Sequence, residues 1–150
     1  MIFGPEATLN VTGSFHVSTA DFIQLGTGEG SGVFSATFPT SDILISAPPA
    51  AFGFLDPNPA SVQSNNTTLT VSKGESLSIV GGDITVEGGI LNAPNGQILL
   101  ASVAGPDIIS LNQPLESIEN GQQGGVITLS GGSAVSVAGN GGGTVIIRGG

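Results

Sequence analysis

Along the second half of the chain, apolar and polar residues alternate in short runs separated by glycine. The runs are LTV (69–71), LSIV (77–80), ITV (84–86), ILL (98–100), DIISL (107–111), VITL (126–129), AVSV (134–137) and VII (145–147). A period of two with β-branched residues and Leu at the apolar positions predicts half-buried strands. No window sustains a 3.6-residue period, and Gly or Pro interrupts every stretch long enough for a helix. The region reads as strand and turn throughout.

Strands this short allow a sandwich, an antiparallel barrel or a β-solenoid. Asn-Gly pairs at 95–96, 120–121 and 140–141 suit two-residue hairpins and leave the choice open. Gly-Gly pairs beginning at 81, 88, 124, 131, 141 and 149 stand beside strands too brief for a stable meander, and fit the corners of one continuous coil better. Three strands per coil give a repeat of about 20 residues. That is comparable to the 21-residue offset from Leu77 and Ile79 to Ile98 and Leu100, and to the 18-residue offset from Ile127 and Leu129 to Val145 and Ile147. The expected architecture is all-β, a right-handed parallel β-helix in which each strand stacks on its equivalent about 4.8 Å away. Leu77, Ile79, Ile84, Val86, Ile98 and Leu100 are expected to point inward. At about 20 residues per coil the chain makes about seven coils, a rod on the order of 35 Å long. An open last coil is a sticky edge, so the polypeptide is expected to continue past Gly150.

Composition divides this body into two textures. All seven Phe and six of nine Pro fall at or before Ala60, whereas 18 of 25 Gly fall after it. The seam is LDPNPAS, 55–61, whose X-Pro steps impose extended or turn geometry. Residues 1–60 are therefore expected to form a capping, extra-helical part, and residues 61–150 the coils.

The charge balance excludes several functions. Two basic against 11 acidic residues give a net charge of -9, with a mean hydropathy of +0.35. Such a field repels phosphate backbones and anionic lipid, so nucleic acid is not an expected partner. The longest nearly apolar stretch, ILISAPPAAFGFL at 43–55, is too short and too broken by Pro to span a bilayer, so no transmembrane segment is expected. Zero Cys removes disulfides, thiolate metal sites and thiol nucleophiles. The opening MIFGPEATLN has neither a basic n-region nor an apolar h-region, so no secretory signal is read in it.

Catalytic readings find little support. A glycosidase needs two carboxyl groups about 5 to 9.5 Å apart. Asp83 and Glu87 share a strand face but lie about 13 Å apart when extended. Glu116, Glu119 and Asp56 read as solvated turn residues. His16 is the single histidine, which forbids a histidine-rich metal site and leaves a serine triad dependent on one residue; it reads as a surface or lid histidine. GGDITVEGG has a faint likeness to calcium-binding nonapeptides but never repeats. Lys73 and Arg148 form no clamp by any sequence pattern. The sequons in NNTT, 65–68, carry little weight in a bacterial chain. No catalytic residue, cofactor or metal is expected. The alternative is a β-helical carbohydrate-active enzyme or carbohydrate-binding stalk, which the absence of Trp and Tyr disfavours.

Three stretches carry a family resemblance: residues 2–23, 46–55 and 76–103 resemble the filamentous-haemagglutinin-type N-terminal domain of two-partner secretion exoproteins, cyanobacterial members especially. Ile2, Phe3 and Gly4 are similar to the trailing edge of that family's Asn-Pro-Asn-Gly motif, which normally stands immediately before IFG. Asn10, Gly13, Ser14, Phe15, Ser18 and Thr19 match the pattern that follows. The resemblance implies a right-handed parallel β-helix with extra-helical strands near its N-terminal end. It also implies a signal peptide upstream and recognition by the periplasmic domains of an outer-membrane transporter. The implied product is a large adhesin, secreted or held at the surface of a Gram-negative bacterium, with a ligand on a host or neighbouring cell. By the same resemblance these nine residues are the candidate partner-recognition set, and a first coil without the upstream motif is expected to lack its cap.

Overall fold

The computed structural model describes residues 1–36, 46–111 and 124–150. Among them the chain is all strand, turn and bend. It winds as a parallel β-helix of four coils, three strands to a coil. The first coil is β1 (Ile2–Phe3), β2 (Thr8–Val11) and β3 (Phe15–Ser18). A departure follows, made of β4 (Phe22–Leu25), β5 (Gly32–Ser35) and β6 (Pro49–Phe54). The second coil is β7 (Val62–Asn65), β8 (Thr68–Val71) and β9 (Ser76–Gly81), and the third is β10 (Ile84–Glu87), β11 (Ile90–Asn92) and β12 (Gln97–Ser102). The strand β13 (Asp107–Ser110) leaves the helix again. The fourth coil is β14 (Ile127–Ser130), β15 (Ala134–Ser136) and β16 (Thr144–Arg148).

Equivalent strands stack into three parallel sheets in the orders β1-β7-β10-β14, β2-β8-β11-β15 and β3-β9-β12-β16. Ile98 lies on Leu77 and Leu100 on Ile79, in the register expected for one coil. All six residues expected inward are at most 1% exposed. They share the helix interior with Val62, Leu69, Val71 and Leu91. Two buried hydroxyls inside the coil, Ser64 and Thr67, satisfy each other by a hydrogen bond, as burial of polar groups requires. The glycine pairs at 81, 88 and 131 do turn the coil between strands. Asn95, with φ 53°, also stands at a corner and not at a hairpin tip.

Three expectations are corrected. Ile127 pairs with Ile84 and Val145 with Ile98, so the offset from Ile127 to Val145 joins different sheets and is no repeat. DIISL is not a coil strand: β13 runs antiparallel to β6, with Ile109 opposite Phe52. Finally, there are four coils among the described residues and not about seven, because the departures consume chain without adding layers. Val62 meets its equivalent, Ile84, after a single uninterrupted coil. By contrast, Ile2 pairs with Gln63 only after the whole of β4 to β6 has intervened. Four layers give a helix on the order of 15 Å long at about 4.8 Å per step.

The departures build a fourth sheet, antiparallel, in the order β13-β6-β4-β5. Its Phe52, Phe54 and Ile109 pack on Val80, Leu99, Ala101 and Ile146, the outward residues of the third parallel sheet, as a second core. That parallel sheet is thus buried on both faces, which explains why its central strand reads ILLAS without alternation. Strands β1–β3, before residue 60, stack in register on β7–β9; β13, beyond it, belongs to the antiparallel sheet.

Candidate recognition site on the first coil

Alternation builds the first coil. In TLNV, Leu9 and Val11 turn inward while Thr8 and Asn10 are exposed. Phe3, Leu9, Val11 and Phe15 pack partly buried against the interior core, with Val17 at 8% exposure. Each first-coil strand is the last member of its sheet among the described residues. The coil is hydrogen-bonded to β7–β9 of the second coil.

All nine sequence-predicted recognition residues fall on this one layer. Ile2 and Phe3 form β1, Gly4 follows it, Asn10 is on β2, Gly13 and Ser14 turn the corner, Phe15 and Ser18 begin and end β3, and Thr19 comes next. They surround the coil as a ring and do not form a single patch. Ile2, at 69%, and Asn10 are exposed, whereas Phe3 and Phe15 plug the interior. Ser14 fastens the coil to its neighbour: its Oγ donates to Glu75 Oε2 at 2.7 Å and accepts from the Ser76 N–H at 2.9 Å. Thr19 donates through Oγ1 to the Ala60 carbonyl at 2.6 Å and through its N–H to the Val80 carbonyl. Ser18 Oγ accepts the Ala20 N–H at 3.0 Å. Gly4 and Gly13 have ordinary φ and open space around them, so the fold itself does not demand glycine at either position.

His16 sits half-buried on the outward side of β3, with Nδ1 3.0 Å from Ser78 Oγ on β9. Burial lowers its pKa from the usual 6.5, so the imidazole is neutral at pH 7. It separates two clefts. One, about 520 Å³, is lined by Ser14, Ser76, Ser78 and Gln97 with Pro49. The other, about 300 Å³ and apolar, lies between β3 and the β4–β5 hairpin, where Phe22, Ile23, Phe34 and Phe52 line it. The sequence carried a signal for the second cleft in its early concentration of Phe, but no pattern that shows which of them line it. Phe22 lies against Gly53 so closely that a Cβ there would come within 1.9 Å of the ring.

Three of the acidic residues accept main-chain hydrogen bonds that hold turns and strand ends. Asp83 Oδ1 accepts the Val126 N–H at 2.9 Å, Asp56 Oδ1 accepts the Asn58 N–H at 2.8 Å, and Asp21 Oδ2 accepts the Leu55 N–H at 2.7 Å. Glu87 ends β10, exposed; Glu116 and Glu119 lie outside the described residues. Among the described residues no three His, Asp or Glu gather as metal ligands, and no helix is long and apolar enough to cross a membrane. The first coil borders both clefts and is tied to the second coil by main-chain and side-chain hydrogen bonds.

The fold defines a class: a parallel β-helix carrying an added antiparallel sheet. Residues 1–147 match the family described as TPS secretion domain, and the chain belongs to that family. It is the export-directing domain of an exoprotein carried by a two-partner system, with an outer-membrane transporter as partner, from a Gram-negative cell to its surface or surroundings. A domain of this family targets secretion and is not an enzyme. No curated protein and no solved structure matches the chain.

Proposed function

We propose that this domain begins an adhesin, and that the transporter's periplasmic domains recognise it through the first coil and the strands and loops of residues 2–60. Ile2, Phe3, Gly4, Asn10, Gly13, Ser14, Phe15, Ser18 and Thr19 are the contact set. The observation that carries this reading is the shared position of all nine on one coil, the first of those described. Addition of a strand to a sheet edge supplies affinity through the backbone and selectivity through alternate side chains. Asn10 and Ile2 are outward and exposed, suited to selectivity. Phe3 and Phe15 shape the edge by holding the strands against the core.

Binding of the domain to the purified periplasmic domains of the transporter, measured by calorimetry, tests this. Asn10→Ala is expected to weaken binding by about 1 kcal/mol, the worth of one lost hydrogen bond, with no change in melting temperature. Phe3→Ala is expected to weaken both binding and stability. Unchanged affinity in both variants refutes the assignment of these residues. The adhesin reading is tested separately, by attachment of cells secreting the full exoprotein against cells lacking it.

A further inference from the structure

The chain contains a single Asp-Pro step, Asp56–Pro57, and it lies where the antiparallel sheet joins the helix. Strand β6 ends at Phe54 and β7 begins at Val62; residues 55–58 between them are exposed. Both flanks of the step are fastened. On one side Asp21 Oδ2 accepts the Leu55 N–H at 2.7 Å and the Asp56 N–H at 3.3 Å. On the other, the Ala60 carbonyl accepts the Gly82 N–H at 2.9 Å and the Thr19 hydroxyl at 2.6 Å. Between these anchors Asp56 Oδ1 accepts the Asn58 N–H at 2.8 Å. To reach that N–H the carboxylate folds forward over its own peptide bond to Pro57, an Asx turn closed across the Asp-Pro step.

We propose that Asp56–Pro57 is a self-cleavage site, and that the cut domain stays assembled. A side-chain carboxylate oxygen of Asp56 attacks its own main-chain carbonyl carbon, forming a C–O bond in a five-membered cyclic anhydride. The C–N bond to Pro57 breaks, and the electron pair left on nitrogen takes a proton from solvent. Water then opens the anhydride, so that one water is consumed, Asp56 becomes a C-terminus and Pro57 begins a new chain with a secondary amine. The tertiary amide nitrogen of proline takes up a proton more readily than an ordinary peptide nitrogen, which makes it the better leaving group, and the exposed loop admits both water and proton. Holding nucleophile and carbonyl together accelerates an intramolecular attack of this kind. The pieces, 1–56 and 57–150, remain joined because β1, β2 and β3 pair with β7, β8 and β9, and β6 pairs with β13. Both cores also draw residues from the two pieces. A cut chain thus keeps its shape while the first coil loses its covalent tie to the other three.

The test is incubation of the purified domain, with protease inhibitors, at the lowest pH above its isoelectric point of about 4.1 at which circular dichroism shows it folded. Mass spectrometry after denaturation is expected to find two pieces whose masses sum to that of the parent plus one water, the second beginning at Pro57. Size-exclusion chromatography before denaturation is expected to show them eluting together at the parent's position. Cleavage in the folded domain should run about tenfold faster than in a synthetic peptide of residues 52–61 under the same conditions, the gain from a held conformation. Asp56→Asn is expected to remain intact, and Asp56→Glu, which must close a six-membered ring, to be slower several-fold. Asp21→Ala, which frees one flank, is expected to fall toward the peptide's rate. Cleavage no faster than in the peptide, equal cleavage in Asp56→Asn, or scission at another bond overturns the self-cleavage inference. Separation of the two pieces without denaturant overturns the claim that the cut domain stays assembled.

Discussion

Gly96 turns the corner between β11 and β12, directly after Asn95, and its replacement by Ala is a sharp test of coil stacking. A Cβ there would lie 1.9 Å from the Glu75 carbonyl oxygen of the preceding coil, where an ordinary contact begins at 3.4 Å, so the two corners must part to admit it. Layers stack at about 4.8 Å, which leaves no slack for such a shift. Forcing one extra carbon into a close-packed place costs about 1–3 kcal/mol. Two hydrogen bonds suffer as well: the Gln97 N–H donates to Glu75 O at 3.2 Å, and the Thr144 N–H to Gly96 O at 3.0 Å. Weakening them costs about 0.5–1.5 kcal/mol each. Against this, Ala restricts the unfolded chain by about 0.4–1 kcal/mol. The net expectation is a loss on the order of 3 kcal/mol, or a fall in Tm of roughly 6–12 °C for a chain of this length. Gly105 is the control: it has ordinary φ and no atom within 4 Å of an added Cβ, so Gly105→Ala is expected to be neutral or stabilising by about 0.4–1 kcal/mol. Far-UV circular dichroism during urea and thermal unfolding is the assay, since the chain has neither Trp nor Tyr for fluorescence. Equal stability of the two variants would refute close corner-on-corner stacking.

Further expectations concern the two cores and the end coil. Leu100, 0% exposed between Ile79 and Ile147 in register, should lose about 2–5 kcal/mol as Leu100→Ala, read by urea unfolding. Because burial lowers the His16 pKa below 6.5, the unfolded chain binds its proton more readily. The stability due to a neutral His16 is thus complete above pH 6.5 and is lost as pH falls through 6.5 toward the folded value. His16→Gln should shrink the difference in Tm between pH 7.5 and pH 5; an unaltered difference counts against the buried, neutral imidazole. Asp21→Ala removes the acceptor for the Leu55 and Asp56 N–H groups and is expected to cost about 1–2 kcal/mol, with faster amide exchange at those two positions in NMR.

The sequence disclosed the helix interior more fully than its outer cover. Period-two alternation at Leu77, Ile79, Ile98 and Leu100 specified both face and register, since a one-residue slip would turn the apolar set outward. The strands β7, reading VQSN, and β11, reading ILN, escaped because their inward residues include Ser64 or are too few to show a period. The fourth sheet was hidden for another reason: Phe52 and Ile109 meet from opposite sides of two complete coils, and alternation looks alike whether the partner strand is parallel or antiparallel. A usable sign was the unbroken apolar run ILLAS, which marks a strand covered on both faces. The nine proposed contact residues came from the family resemblance; the apolar cleft required the pairing of Phe34, Ile23 and Phe52, which no local pattern conveys.

The antiparallel sheet also changes how the molecule comes apart. A plain solenoid frays from either end, one layer at a time, because each layer touches only its neighbours. Here β4 and β6 leave after the first layer, β13 returns after the third, and together they lie across layers two to four, acting as a strap. Opening the fourth coil exposes Ile146 and loosens the strap, which removes support from β4 and β6. The antiparallel sheet thus ties these layers together, and β6 lacks one of its two partner strands until synthesis has passed Ser110.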